Sequence, residues 1–238
     1  MAFGDIIQRA ELGEDIASAT VTKAFASTPV SGNLLVAIQM TGATSCDSCS
    51  SSSGSYTSAV HWQNGTELDA ARLWYRIAGA SEATSVSAVA SAADEQGLLL
   101  LEIEGPWNAA PVDQTTDPGR QALGASTYPC GTTGTTTQAD EVAIAVMYSR
   151  SAANVDAAIS FDNSFVHDNA ACVVSTFKSI TAGTKLLSAT GTVTTTCTFG
   201  TAAVTQGGIV TFKKETAGTG TVITRTRRPA IFAPGIAR

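Results

Sequence analysis

Along most of the chain, apolar residues come in short runs, either continuous or alternating with polar ones, and clusters of Gly, Ser, Thr, Asp and Asn part the runs. A period of two marks a strand with one buried face, and turn residues at this spacing punctuate strands rather than helices. The pattern predicts strands at Ala19–Phe25, Leu34–Met40, Tyr56–Trp62, Ala71–Ile77, Ser85–Ala90, Gly97–Ile103 and Glu141–Ser149. Further strands are predicted at Ala157–Phe161, Ala171–Phe177, Lys185–Ser188, Val193–Phe199, Ile209–Lys213 and Thr221–Thr226. In Leu73–Ile77 the apolar Leu73, Tyr75 and Ile77 share one face, and Trp74 and Arg76 the other. Leu98–Leu101 is continuous enough for a strand buried on both faces; Glu102 and Glu104 then place acids on alternate positions, as at a sheet edge.

Two segments lack the pattern. Thr44–Gly54 reads as a Ser-rich loop, and Asn108–Gln138 as a long loop rich in Pro, Asp, Gly and Thr, of the kind that more often serves contact than packing. Asp5–Ala17 is expected as a short helix or an arm. The fold class is therefore all-β, an antiparallel β-sandwich or jelly-roll-like architecture with extended N- and C-terminal arms. The expected division is residues 1–18 as the N-terminal arm or helix, 19–223 as the sandwich body and 224–238 as a basic C-terminal arm.

Only 14% of the 238 residues are charged, which disfavours long solvated helices. The net charge of −6 is unevenly spread. From Met1 to Phe212 there are 8 Lys and Arg against 19 Asp and Glu, and from Lys213 onward 6 against 1. An acidic body repels phosphate, which argues against nucleic-acid binding, whereas a basic tail suits the acidic face of an identical neighbour. No run of about 18 apolar residues is present to span a membrane as a helix. The start, MAFGDIIQRAELGED, lacks the apolar core of a secretory leader, so synthesis and folding in a cytoplasm are expected.

The end, TRTRRPAIFAPGIAR, cannot be a central strand, because Pro229 and Pro234 lack amide donors and bias the residues before them toward extended geometry. Leaving Ile231, Phe232 and Ile236 in water forgoes about 1.5–3 kcal/mol for each large side chain, so they are expected in a groove of this chain or of a neighbour. Arg225, Arg227, Arg228 and Arg238 complete the expected subunit-contact set.

Candidate chemistry is sparse. Cys46-x-x-Cys49 lacks the further ligands a zinc site needs, and five cysteines form no complete disulfide framework. His167–Asp168 lacks a nucleophile elbow. Glu102 and Glu104 lie about 6–7 Å apart on any strand, a separation that suits glycoside hydrolysis but follows from the spacing alone. Asp113, Asp117 and Asp140 lack calcium-loop spacing, and Asn64–Gly65–Thr66 reads as an Asn-Gly turn. Trp62, Trp74 and Trp107 are the candidates for a glycan or partner platform, against the commoner role of core filling. No catalytic, cofactor or metal site is expected.

GNLLVAIQM, ARLWYRIAGASEATSVSAVAS, LLLLEIEGPWNAAPVD and ADEVAIAVMYS together resemble β-sandwich structural proteins of tailed-bacteriophage virions over Ala19–Lys213. The terminal RRPAIFAPGIAR resembles the extended arms that tie such subunits together. The resemblance implies a non-enzymatic capsid decoration or cement protein in the virion, homo-oligomeric and docked on major capsid or tail proteins. The alternative it leaves open is a minor tail or tail-fibre component that binds host-surface glycans.

Overall fold

The computed structural model describes residues 2–63, 69–122, 124–150, 159–167, 172–175 and 178–216, with backbone alone at 14–17 and 172–175. Its regular elements are antiparallel strands. They are β1 (Ile6–Ala24), β2 (Leu34–Thr41), β3 (Cys46–Ser51), β4 (Gly54–Ser55), β5 (Thr57–Gln63), β6 (Ala70–Ile77), β7 (Ser85–Ile103) and β8 (Trp107–Thr115). They continue with β9 (Thr127–Thr132), β10 (Glu141–Ser149), β11 (Ser160–Phe161), β12 (Val166–His167), β13 (Cys172–Ser175), β14 (Lys178–Leu187), β15 (Thr194–Thr198) and β16 (Thr205–Lys214).

Three sheets result. The first runs β4-β3-β7-β2-β6-β5 with β1 also on β7; the second runs β12-β14-β10-β16-β8 with β13 on β14; the third is β11-β15-β9. The first two pack face to face. Val36, Ile38 and Met40 of β2 and Leu99, Leu101 and Ile103 of β7 meet Val142, Ile144 and Val146 of β10 and Phe212 of β16. The third sheet covers the other face of the second, where Ala143, Ala145 and Met147 of β10 lie against Tyr128, Cys130 and Cys197. Small side chains on β10 let that thin sheet approach closely.

The first sheet also folds over itself. Along β1 and β7 the register passes from Ser18↔Asp94 to Thr20↔Val89, so β7 carries extra residues at a bulge, and a bulge bends a strand. Beyond the bend, Val21, Val86, Ala88, Cys46 and Cys49 lie against Leu35, Ala37, Trp74, Leu98 and Leu100 of the same sheet. The layers leave β2 and β10 buried at every position. This explains the low charge content: a strand covered on both faces has no wet side on which to carry charge. Some polar residues caught inside pair with one another, as in the relay from Trp74 Nε1–H to Gln39 Oε1 at 3.3 Å and Gln39 Nε2–H to Gln96 Oε1 at 3.1 Å.

Several expectations change. Asp5–Ala17 is neither helix nor free arm, because from Ile6 onward it belongs to β1 and pairs with β7; the boundary drawn at residue 18 falls inside that strand. Ser85–Ala90 and Gly97–Ile103 are one bent strand. Thr44–Gly54 contains β3, whose Cys46 and Cys49 both face inward because a register shift after Cys46 interrupts the alternation. Asn108–Gln138 contains most of β8 and all of β9. The predicted strand Thr221–Thr226 and the whole C-terminal arm lie outside the described residues, as do Asn64–Thr66.

Candidate functional site

The polar residues singled out from sequence are dispersed, and most of those described already have partners. Glu102 is fully buried rather than at an edge. Its carboxylate accepts Gln8 Nε2–H at 2.5 Å, Val30 N–H at 2.7 Å and Asn33 Nδ2–H at 2.7 Å. Its even-numbered neighbours Leu98 and Leu100 face the folded-over layer, and Glu102 follows them inward beneath the 25–33 connection. It acts as a structural clamp, its two oxygens occupied by three donors.

Trp62, Trp74 and Trp107, the expected platform, are at most 6% exposed. Their ring N–H groups donate inward, to Thr116 O, Gln39 Oε1 and Ile103 O respectively. An indole is large and mostly apolar, so with its single donor satisfied it stabilises a core more than a rim. The three rings therefore present no stacking surface to a sugar.

His167 Nε2 lies 2.7 Å from Thr181 Oγ1, and Asp168 is outside the described residues. Burial pushes His61 down to about 4, so it stays neutral under ordinary conditions. Burial likewise raises the thiols of Cys46, Cys49, Cys130 and Cys197, with Cys49 and Cys130 each pushed up to about 12. Such thiols are poor nucleophiles and poor metal ligands. Asp117 accepts the Gly119 N–H, Asp140 faces Lys214 at 3.4 Å, and Asp113 accepts the N–H and hydroxyl of Thr137 at 2.6 and 2.7 Å. Among the described residues, no three acidic, His or Cys side chains converge as a metal site.

Two charged sites were not legible from sequence. At one end, Lys178 bridges Asp69 at 3.2 Å and Glu95 at 2.7 Å, and Arg150 also bonds Asp69. Burial outweighs both cations at Asp69 and raises its carboxyl. At the other end, Glu141 opens β10 fully buried beside Asp113, Thr211 and the Gln138 N–H, yet no hydrogen bond of good geometry closes on its oxygens. Burial, helped by Asp113, pushes Glu141 up to about 7. Burial opposes ionisation of Asp113 too, but Thr137 and Lys213 hold its carboxyl below the usual range. The pair keeps one proton more readily than two free carboxyls do.

Two adjoining hollows lie at this second end. A cleft of about 350 Å³ runs between Val30–Asn33 and Glu104–Trp107, with Ile77 and Glu215 completing it. Asn33 joins its two walls: the amide N–H donates to Glu102, while its oxygen accepts Gly105 N–H at 3.2 Å. The walls approach backbone to backbone, since a Cβ on Gly105 would meet Gly32 O at 2.6 Å. Val30, Ile77, Pro106 and Trp107 provide an apolar lining, and Glu104 and Glu215 an acidic rim. A second hollow adjoins it at Glu215, lined by Gln138, Asp140, Lys214 and Thr216. The described chain ends there, so the basic tail springs from an acidic rim. No signal within any one segment marks this cleft, because its walls come from the β1–β2 connection, the end of β6, the β7–β8 turn and the end of β16.

No protein-family model, curated protein or solved structure matches the chain.

Proposed function

We propose that this protein is a non-enzymatic structural subunit of a tailed-phage virion, a decoration or cement protein that docks on neighbouring subunits through residues 224–238. The observation that carries the reading is the inversion of charge along the chain: an acidic, multilayered body gives way at Lys213 to a segment with 6 cations and 1 acid. Opposite charges on arm and body set register between copies, and the apolar Ile231, Phe232 and Ile236 supply the burial that holds them. Supporting it, the Glu102 carboxylate is saturated by donors, and Cys46, Cys49, Cys130 and Cys197 are sealed inside the layers. The virion address rests on the sequence resemblance. The glycan-binding alternative is weakened by the burial of Trp62, Trp74 and Trp107.

The test is removal of residues 224–238. The truncated protein is expected to remain folded through its layered body and to lose binding to particles or to its own copies. Full occupancy by the truncated protein overturns the tether.

A further inference from the structure

We propose that the cleft between Val30–Asn33 and Glu104–Trp107 is the seat of the chain's own segment Pro229–Arg238, which covers it in the free subunit and is exchanged onto a neighbour on assembly; that exchange rests on the reading above, the seat itself does not. Three observations converge on this occupant.

The first is an exposed apolar surface. Val30 is 56% exposed, one of three large apolar side chains left so among the described residues, and it stands over a lining of Ile77, Pro106 and Trp107. The second is complementarity. The segment places Ile231, Phe232 and Ile236 between Arg228 and Arg238, an apolar centre with a cation at each end. The cleft has the reverse arrangement of charge, an apolar lining rimmed by Glu104 and Glu215, while in the adjoining hollow Asp140 is already paired with Lys214 at 3.4 Å. Pro229 and Pro234 favour an extended chain that lies along a groove without needing strand partners.

The third is where the chain leaves. Glu215 is itself part of the cleft, its N–H bonded to Pro106 O at 3.0 Å, so the segment is anchored at the rim it is to enter. The stretch 217–224 (AGTGTVIT) is rich in Gly and Thr, and an extended chain gains about 3.3 Å per residue. It is ample to turn back over a cleft at its own root. A tether this short holds its end at an effective concentration in the millimolar range. The chain's own segment therefore outcompetes a neighbour's in dilute solution, and the balance shifts where copies are crowded side by side.

The experiment uses the full-length protein and a full-length variant carrying Ile231→Ser and Phe232→Ser, changes outside the packed body. Amide hydrogen exchange is followed at residues 30–33 and 104–107, and sedimentation velocity at several concentrations. Exchange at both walls is expected to rise at least fivefold in the variant, and a synthetic peptide of residues 225–238 is expected to restore protection. Restoration should fail when Glu104→Lys and Glu215→Lys are added. Unchanged exchange at both walls overturns the seat, whether or not the protein self-associates. Protection that grows with protein concentration overturns the chain's own segment as occupant in favour of a second copy's. Increased exchange in the variant with a monomeric wild type at every concentration, and no binding to particles, leaves the seat standing and removes the tether reading instead.

Discussion

Glu102→Gln is a change of one atom with a calculable effect. The carboxylate presents two acceptor oxygens to donors only: Gln8 Nε2–H on one, Val30 N–H and Asn33 Nδ2–H on the other. An amide must turn an NH₂ toward one side. Turned toward Gln8 it loses a single bond, and that is the cheaper choice. Gln8 cannot flip to receive it without giving up Ser27, whose N–H and hydroxyl donate to its oxygen at 3.1 and 3.3 Å. A lost hydrogen bond to a charged group costs about 1.5–3 kcal/mol, and the two that remain lose their charge assistance. Relief of carboxylate desolvation offsets part of this, so a net loss of about 2–3 kcal/mol is expected. Urea unfolding measures the loss, and amide exchange at Val30 locates it, since that N–H is held by Glu102 alone among the bonds described. A loss under about 0.5 kcal/mol with Val30 exchange unchanged would refute the clamp.

The remaining predictions concern protons and thiols. Glu141 is raised from 4.5 to about 7 in the fold, so the native state binds its proton more tightly than the unfolded chain. Its contribution to stability is complete below pH 4.5 and is lost as pH rises through about 7. Counted in full the shift is worth about 3 kcal/mol, and with water reaching the neighbouring hollow about 1–2 kcal/mol. Glu141→Gln, whose amide can donate to Asp113 at any pH, should match wild type at pH 5 and exceed its unfolding free energy by that amount at pH 8. A difference that does not vary with pH would sink the shared-proton account. Cys46, Cys49, Cys130 and Cys197 are buried free thiols and should resist a disulfide reagent at pH 8 on the timescale of minutes, all reacting once urea is added. Rapid titration of any of these four in the folded protein, identified by peptide mapping, would contradict their placement.

Legibility followed the local pattern closely. Glu141–Ser149 and Leu34–Met40 are strands as predicted, the second extended by Thr41, since a continuous apolar run between turn residues leaves little choice of structure. Failures came where the alternation was broken or the side chains were small. In β3 a register shift after Cys46 puts both cysteines inward and leaves hydroxyls at the surface, so the segment reads as a Ser-rich loop. In β8 register shifts on both sides of Phe212 erase the period over Trp107–Thr115. Asp5–Ala17 was misread because its partner, residues 96–103, lies far along the chain.

The sequence by itself determined that this chain is built of antiparallel strands, that its body is acidic and that its last residues carry concentrated positive charge, because residue type and a period of two are local properties. Tertiary structure alone decided which faces meet. It folded the first sheet over itself, buried the three tryptophans, turned Glu102 from an apparent edge charge into an internal clamp and assembled one cleft from four distant segments. Burial and pairing depend on what a strand is covered by, and the covering layer is supplied by residues whose identity no local pattern records.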